Sequence, residues 1–87
     1  MPEISRFHGI AIAMYFNDHP PPHFHARYGG LEVVVLIGDG KVIGRFPPRQ
    51  VELVLRWYNL HREELSKDWE RARRHEPLLP IEPLVLP

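Results

Sequence analysis

The chain contains no cysteine, which excludes disulfides and thiolate metal sites and leaves imidazole and carboxylate as the donors a metal would find. Nor does it carry an excess of either charge. Eleven basic and eleven acidic side chains cancel, so net charge gives no reason to expect nucleic acid or an anionic surface as partner. No apolar run is long enough for a signal peptide or a spanning helix, so a soluble, cytoplasmic protein without a membrane partner is expected. Eighty-seven residues suffice for one small core and little more.

Proline, by contrast, is plentiful. Ten prolines, most of them at 20–22, 47–48 and 77–87, mark the joints of the chain. Residues 8–16 alternate, with Ile10, Ile12, Met14 and Phe16 on one face and Gly9, Ala11 and Ala13 on the other. Residues 23–28 alternate again, and Gly29-Gly30 supplies a hairpin loop to a Val-rich strand over 31–37. Asp39-Gly40 reads as a second tight turn, leading to a fourth strand over 41–46.

These two loops fix a register. Tyr28 faces Leu31, Ala26 faces Val33 and Phe24 faces Val35; beyond the second loop Ile37 faces Val42, Val35 faces Gly44 and Val33 faces Phe46. All of these fall on one apolar face, whereas a slip of one residue would turn them outward. The opposite face places His23 beside Leu36, His25 beside Val34 and Arg27 beside Glu32, pointing away from the helices. Val34, Leu36 and Ile43 make that flank too apolar to be plainly solvated.

Pro47-Pro48 ends the sheet and suits a first helical turn. Val51, Val54, Leu55 and Tyr58 then recur at helical spacing, and Leu65, Trp69 and Ala72 repeat the pattern after the break near Asn59-Leu60. The reading is α+β: a four-stranded antiparallel meander followed by two helices, or one bent helix, packed on the face of Phe24, Val33 and Val35. A single domain is expected over 1–76, with an extended Pro-rich tail over 77–87.

The chemistry concentrates in Asn17-Asp18-His19-Pro20-Pro21-Pro22-His23-Phe24-His25-Ala26-Arg27. Three prolines have fixed φ and no N–H, so they form a stiff connector and not a helix or an interior strand. On the strand behind them, His23 and His25 lie about 7 Å apart along the backbone at ~3.3 Å rise per residue, a spacing that can share one ion. Asp18, His19, His23 and His25 are thus the candidate ligands for a divalent metal such as zinc, and no other cofactor is expected. His23, His25 and Arg27 are also the candidate catalytic groups for phosphodiester cleavage, two imidazoles for acid–base work and a guanidinium for phosphate charge. Arg71, Arg73 and Arg74 are the candidate nucleic-acid contacts. Plainer roles compete for the same residues. Arg27 can pair with Glu32 across the hairpin, Asp18 and His19 can cap the turn, and the imidazoles can bond carbonyls that the prolines leave unpaired.

Three stretches together resemble one family. They are the opening Met1-Pro2-Glu3-Ile4-Ser5-Arg6-Phe7, the run from Asn17-Asp18-His19 through Pro21-Pro22-His23-Phe24-His25-Ala26, and Trp57 followed by Leu60-His61-Arg62-Glu63-Glu64-Leu65 and Trp69. The family is the small bacterial proteins of domain-of-unknown-function family 4160, and the likeness runs nearly the length of the chain, to Ile81-Glu82-Pro83-Leu84. Pro20 departs from it by extending the usual double proline to three. The resemblance implies no established activity. It implies a protein encoded beside another small protein, in the manner of toxin–antitoxin pairs, with a regulatory role in some members. The expected partner is therefore the neighbouring gene product or a second copy of the chain, met through Val34, Leu36, Ile43 and Leu84. A His-dependent ribonuclease or nucleic-acid-binding toxin and a His-based metal domain are the alternatives, and no pattern in the chain decides whether it is an enzyme.

Overall fold

A computed structural model describes residues 2–86. Five strands form one antiparallel sheet in chain order: β1 (Glu3–Phe7), β2 (Ile10–Ala13), β3 (His23–Tyr28), β4 (Leu31–Leu36) and β5 (Val42–Gly44). Two helices follow, α1 (Pro48–Leu60) and α2 (Arg62–Arg73). The class is α+β, with one strand more than the four expected.

The additional strand is β1. Its pairing with β2 slips between Glu3 and Ser5, so that Ile4 and Ser5 are both buried. A bulge of this kind breaks the period-two signal by which a strand is read. His8 and Gly9, at φ 50 and 78, make the two-residue turn into β2. Both central residues with positive φ is the requirement of the hairpin turn whose twist matches its strands. The first alternating run therefore begins at Ile10 and ends at Ala13, and is buried on both faces.

The β3–β4 register is the one the glycine pair implies, from Tyr28 opposite Leu31 to His23 opposite Leu36. The β4–β5 register differs by two residues: Val35 faces Val42 and Val33 faces Gly44. Ile37 stays in the β3 ladder by donating its N–H to the Pro22 carbonyl at 2.9 Å. The loop closes earlier, where Gly40 N–H meets the Leu36 carbonyl at 2.8 Å. A shift of two keeps each side chain on its expected face.

Pro47 and Pro48 start α1, and its Leu53, Val54, Trp57 and Tyr58 are buried. Trp57 meets Phe7 and Phe24 at ring-centroid distances of 5.4 and 5.6 Å, on the face that also carries Ile10, Ile12, Val33 and Val35. Tyr58 donates its hydroxyl to the Ile37 carbonyl at 2.6 Å, tying α1 to the sheet. At His61, φ −127 and ψ 26 separate α1 from α2, so there are two helices and not one bent one. Residues 77–86 carry no helix or strand but pack into the same core through Ile81 and Leu84. They are pinned by three contacts: Ile81 N–H to the Ile4 carbonyl, Trp57 Nε1–H to the Glu82 carbonyl, and Leu79 N–H to the Asp68 carboxylate. No helix among the described residues is long and apolar enough to cross a membrane.

Candidate metal centre

The β3–β4 register puts His23, His25 and Arg27 on the flank shared with Leu36, Val34 and Glu32, opposite the face that Trp57 covers. Asp18 reaches this flank because the chain turns back after β2. Asn17 takes φ 63, a left-handed conformation that asparagine tolerates better than most side chains, and the following prolines carry the chain to His23. The Asp18 Oδ2 atom then lies 2.8 Å from His23 Nε2 and 3.0 Å from His25 Nε2. One donor atom from each of Asp18, His23 and His25 falls within 4.8 Å of the other two. His19 does not join them; it is exposed, and its backbone N–H donates to Asp18 Oδ1 at 3.1 Å.

The far nitrogens of both rings are also held. His23 Nδ1 meets the Pro21 carbonyl at 2.8 Å, and His25 Nδ1 meets Glu32 Oε2 at 3.1 Å. Proline's missing donors suggest imidazoles bonded to nearby carbonyls; His23 does bond one, while His25 takes carboxylates instead. Glu32 Oε1 in turn accepts from Arg27 Nε at 2.6 Å, and Arg27 Nη2 donates to the Tyr15 hydroxyl at 2.8 Å. The Tyr15 ring stands edge-on to the His25 ring at 4.4 Å, closing a loop of four residues that includes that imidazole.

Partial burial gives these contacts weight. The side chains of His23 and His25 are 11% and 12% exposed and that of Asp18 is 23% exposed. Burial opposes ionisation of Asp18, but the hydrogen bond from His25, the field of His23 and the His19 N–H outweigh it and hold the carboxyl below its ordinary range. Glu32 is held low in the same way: burial acts upward, and hydrogen bonds from Arg27 and His25 overcome it.

One expectation about this flank is corrected. It faces away from α1 but not from α2, since the Trp69 ring lies 5.2 Å from the His23 ring. Just past α2, His75 stacks with Phe16 at 6.2 Å and 8°. The break at His61 lets α2 leave the line of α1 and border the imidazole end of the sheet.

The remaining candidate residues are scattered. Val34 and Leu36 are half-buried and Ile43 is 49% exposed, all on the outer flank, whereas Leu84 is buried in the chain's own core and offers no docking surface. Arg71 is taken up by the buried Asp68 at 2.7 Å, Arg73 stands 3.8 Å from Glu70, and Arg74 lies with Glu70 and Glu76 around one shallow cavity. These arginines are interleaved with acids. Tyr15 and Trp69 belong to the site without having been read as such. The alternation over 8–16 puts Tyr15 on the face of Ala11 and Ala13, which pair with Arg27 and His25, and that alternation was the available signal for the tyrosine. For Trp69 there was none, because its helical spacing with Leu65 marks only a core residue.

Comparison with known proteins gives one result. No curated protein and no solved structure matches the chain. A family model described as Domain of unknown function (DUF4160) matches residues 9–70, which takes in the whole Asp18–His23–His25 cluster, and the chain belongs to that family.

Proposed function

We propose that the chain is a divalent-metal-binding domain, with Asp18, His23 and His25 as the protein ligands. One observation carries this reading. All four ring nitrogens of the two histidines face oxygens that only accept: a carbonyl, the Glu32 carboxylate and, twice, Asp18 Oδ2. As hydrogen bonds, these contacts require hydrogen on both nitrogens of both neighbouring rings. A cation among the three converging atoms replaces the two Nε2 hydrogens and leaves both Nδ1 contacts as they are.

The fit is close. Ligand bonds of about 2.0–2.1 Å in a tetrahedron set donor atoms about 3.3 Å apart, so the 2.8 and 3.0 Å separations from Asp18 need to widen only slightly, while the donor atoms all lie within 4.8 Å of one another. Imidazole ligands whose other nitrogen donates to a carbonyl or carboxylate are the usual arrangement around a metal. Two imidazoles and one carboxylate suit zinc and also iron(II), and three protein ligands leave room for a water or a substrate atom. Such a site supports activation of a bound water. The same geometry favours a metal over acid–base cleavage by the two histidines, because their Nε2 atoms meet one oxygen and do not flank a substrate.

Calorimetric titration with zinc tests this. The intact protein binds one equivalent, and His23→Ala, His25→Ala and Asp18→Asn each abolish or strongly weaken binding while retaining the far-ultraviolet circular dichroism of the fold. Absence of binding by the intact protein below millimolar zinc contradicts the reading.

A second reading is favoured by a separate observation. Ile43, 49% exposed on the edge strand β5, lies opposite the half-buried Val34, with Leu36 on the same flank. An apolar flank of this kind suits a protein partner, and we propose the neighbouring gene product of a toxin–antitoxin-like pair in that role. Ile43→Asp then weakens co-purification of the two proteins without disturbing the fold; undiminished recovery of the pair argues against it.

A further inference from the structure

We infer that Glu32, anchored by Arg27, is the positioning residue of the metal centre: it fixes His25 with hydrogen on Nδ1 and its Nε2 lone pair turned toward the ion. This inference rests on the metal reading above and adds the group that sets how tightly the ion is held.

The two imidazoles are oriented by different means. His23 gives its Nδ1 hydrogen to the Pro21 carbonyl, a backbone group two residues away on the stiff proline connector. Among the described residues the His25 ring has no such backbone partner. Its Nδ1 contact is to Glu32 Oε2 at 3.1 Å, across the β3–β4 ladder and seven residues along the chain. Left alone, a glutamate that is 40% exposed would have many rotamers, and the imidazole would turn with it.

Arg27 removes that freedom. It sits directly opposite Glu32 in the register and binds Oε1 through Nε at 2.6 Å, leaving Oε2 for the histidine. Arg27 is itself held at Nη2 by the Tyr15 hydroxyl at 2.8 Å, and the Tyr15 ring returns to the His25 ring at 4.4 Å. The hairpin between β3 and β4 thus delivers ligand, orienting carboxylate and anchoring guanidinium from adjacent positions. A carboxylate on the remote nitrogen also raises the basicity of the ligating one, and loss of such partners commonly lowers metal affinity about 10–100-fold. Glu32 touches no ion in this arrangement; it acts only through His25.

The test uses zinc at fixed pH, with affinity read by competition against a chelator and, in the zinc-loaded protein, protection of the His25 Nδ1 hydrogen read by its exchange with water. The variants are Glu32→Gln, Glu32→Ala and Arg27→Met, all at positions exposed enough to leave the core intact. Glu32→Ala is expected to lower zinc affinity about 10–100-fold and to remove the protection of the Nδ1 hydrogen. The Gln oxygen still accepts from Nδ1–H, so Glu32→Gln keeps the protection and recovers part of the affinity. Arg27→Met weakens binding less than Glu32→Ala.

Wild-type binding that Glu32→Ala leaves within two-fold overturns the inference and spares the metal reading. A loss of affinity in Glu32→Ala that leaves the Nδ1 hydrogen as protected as in wild type overturns the orienting role. Failure of the intact protein to bind zinc removes the metal reading itself, and this inference with it.

Discussion

The His23 ring lies 5.2 Å from the ring of Trp69, so a ligand on β3 rests against a core side chain of α2. Trp69 is buried and belongs to the same apolar cluster as Leu65, Ala72 and Met14. The helix and the candidate metal centre therefore share one wall. Trp69→Ala is expected to cost about 3–5 kcal/mol of stability, as large-to-small core changes of this size do. Trp69→Phe keeps an aromatic wall and costs less. Urea midpoints of the two variants check the order, and equal midpoints would mean that the indole packs against little.

Asp18 makes stability depend on pH in a definite direction. Its folded-state carboxyl is held below the ordinary value, since the bonds from His25 and the other partners outweigh burial. A lowered folded value means that the unfolded chain takes up the proton first as the medium acidifies. The stabilisation is present above the unfolded value of about 3.9 and is lost as pH falls through the folded one. Metal-free wild type should thus exceed Asp18→Asn in urea midpoint at pH 6, and the gap should shrink below about pH 4. A gap that widens in acid would contradict the assignment.

Gly40 is expected to tolerate no side chain. Its φ is 77, and a Cβ there would stand 2.8 Å from Tyr58 Cε2. Tyr58 cannot give way freely, because its hydroxyl donates to the Ile37 carbonyl and accepts from Arg62. Gly40→Ala should cost about 1–3 kcal/mol from backbone strain and displacement of the ring. Gly38→Ala is the control: nothing lies within 4 Å of its added carbon, and its φ is not positive. Thermal melts of the pair check this, and similar melting temperatures would refute it.

Asp68 clasps the C-terminal segment. Its carboxylate is fully buried, and Oδ1 accepts from Arg71 at 2.7 Å and from the Leu79 N–H at 2.9 Å. Asp68→Ala leaves that N–H without its acceptor and is expected to cost about 1–3 kcal/mol. The segment over 77–86 should then become cleavable by protease while the sheet remains folded. Limited proteolysis with mass spectrometry reads this, and unchanged protection would show that the remaining contacts of Ile81, Glu82 and Leu84 hold the segment without Asp68.

The hairpin through Gly29-Gly30 was legible because a two-residue loop sets the pairing and a slip of one residue would turn Phe24, Ala26, Val33 and Val35 outward. The β4–β5 register departs by two residues from the one Asp39-Gly40 implies, since nothing local reveals that Ile37 bonds to the distant Pro22 carbonyl. β1 was hidden by its bulge, although His8-Gly9 was a turn signal that the following alternation masked. Of the site, Asp18, His23 and His25 could be named from residue type and spacing. Their convergence could not, because it depends on the left-handed Asn17 and on the path of the connector. Glu32 was visible as the partner of Arg27, but its second contact, to His25, exists only in three dimensions.

X-ray absorption at the zinc edge, on protein loaded with one equivalent and passed through gel filtration, tests the metal centre most directly. The account predicts zinc retained one to one, with two imidazoles and a carboxylate oxygen at about 2.0–2.1 Å and at least one further light ligand. Zinc lost on the column, or a shell of water and buffer oxygens without imidazole scattering, would contradict it.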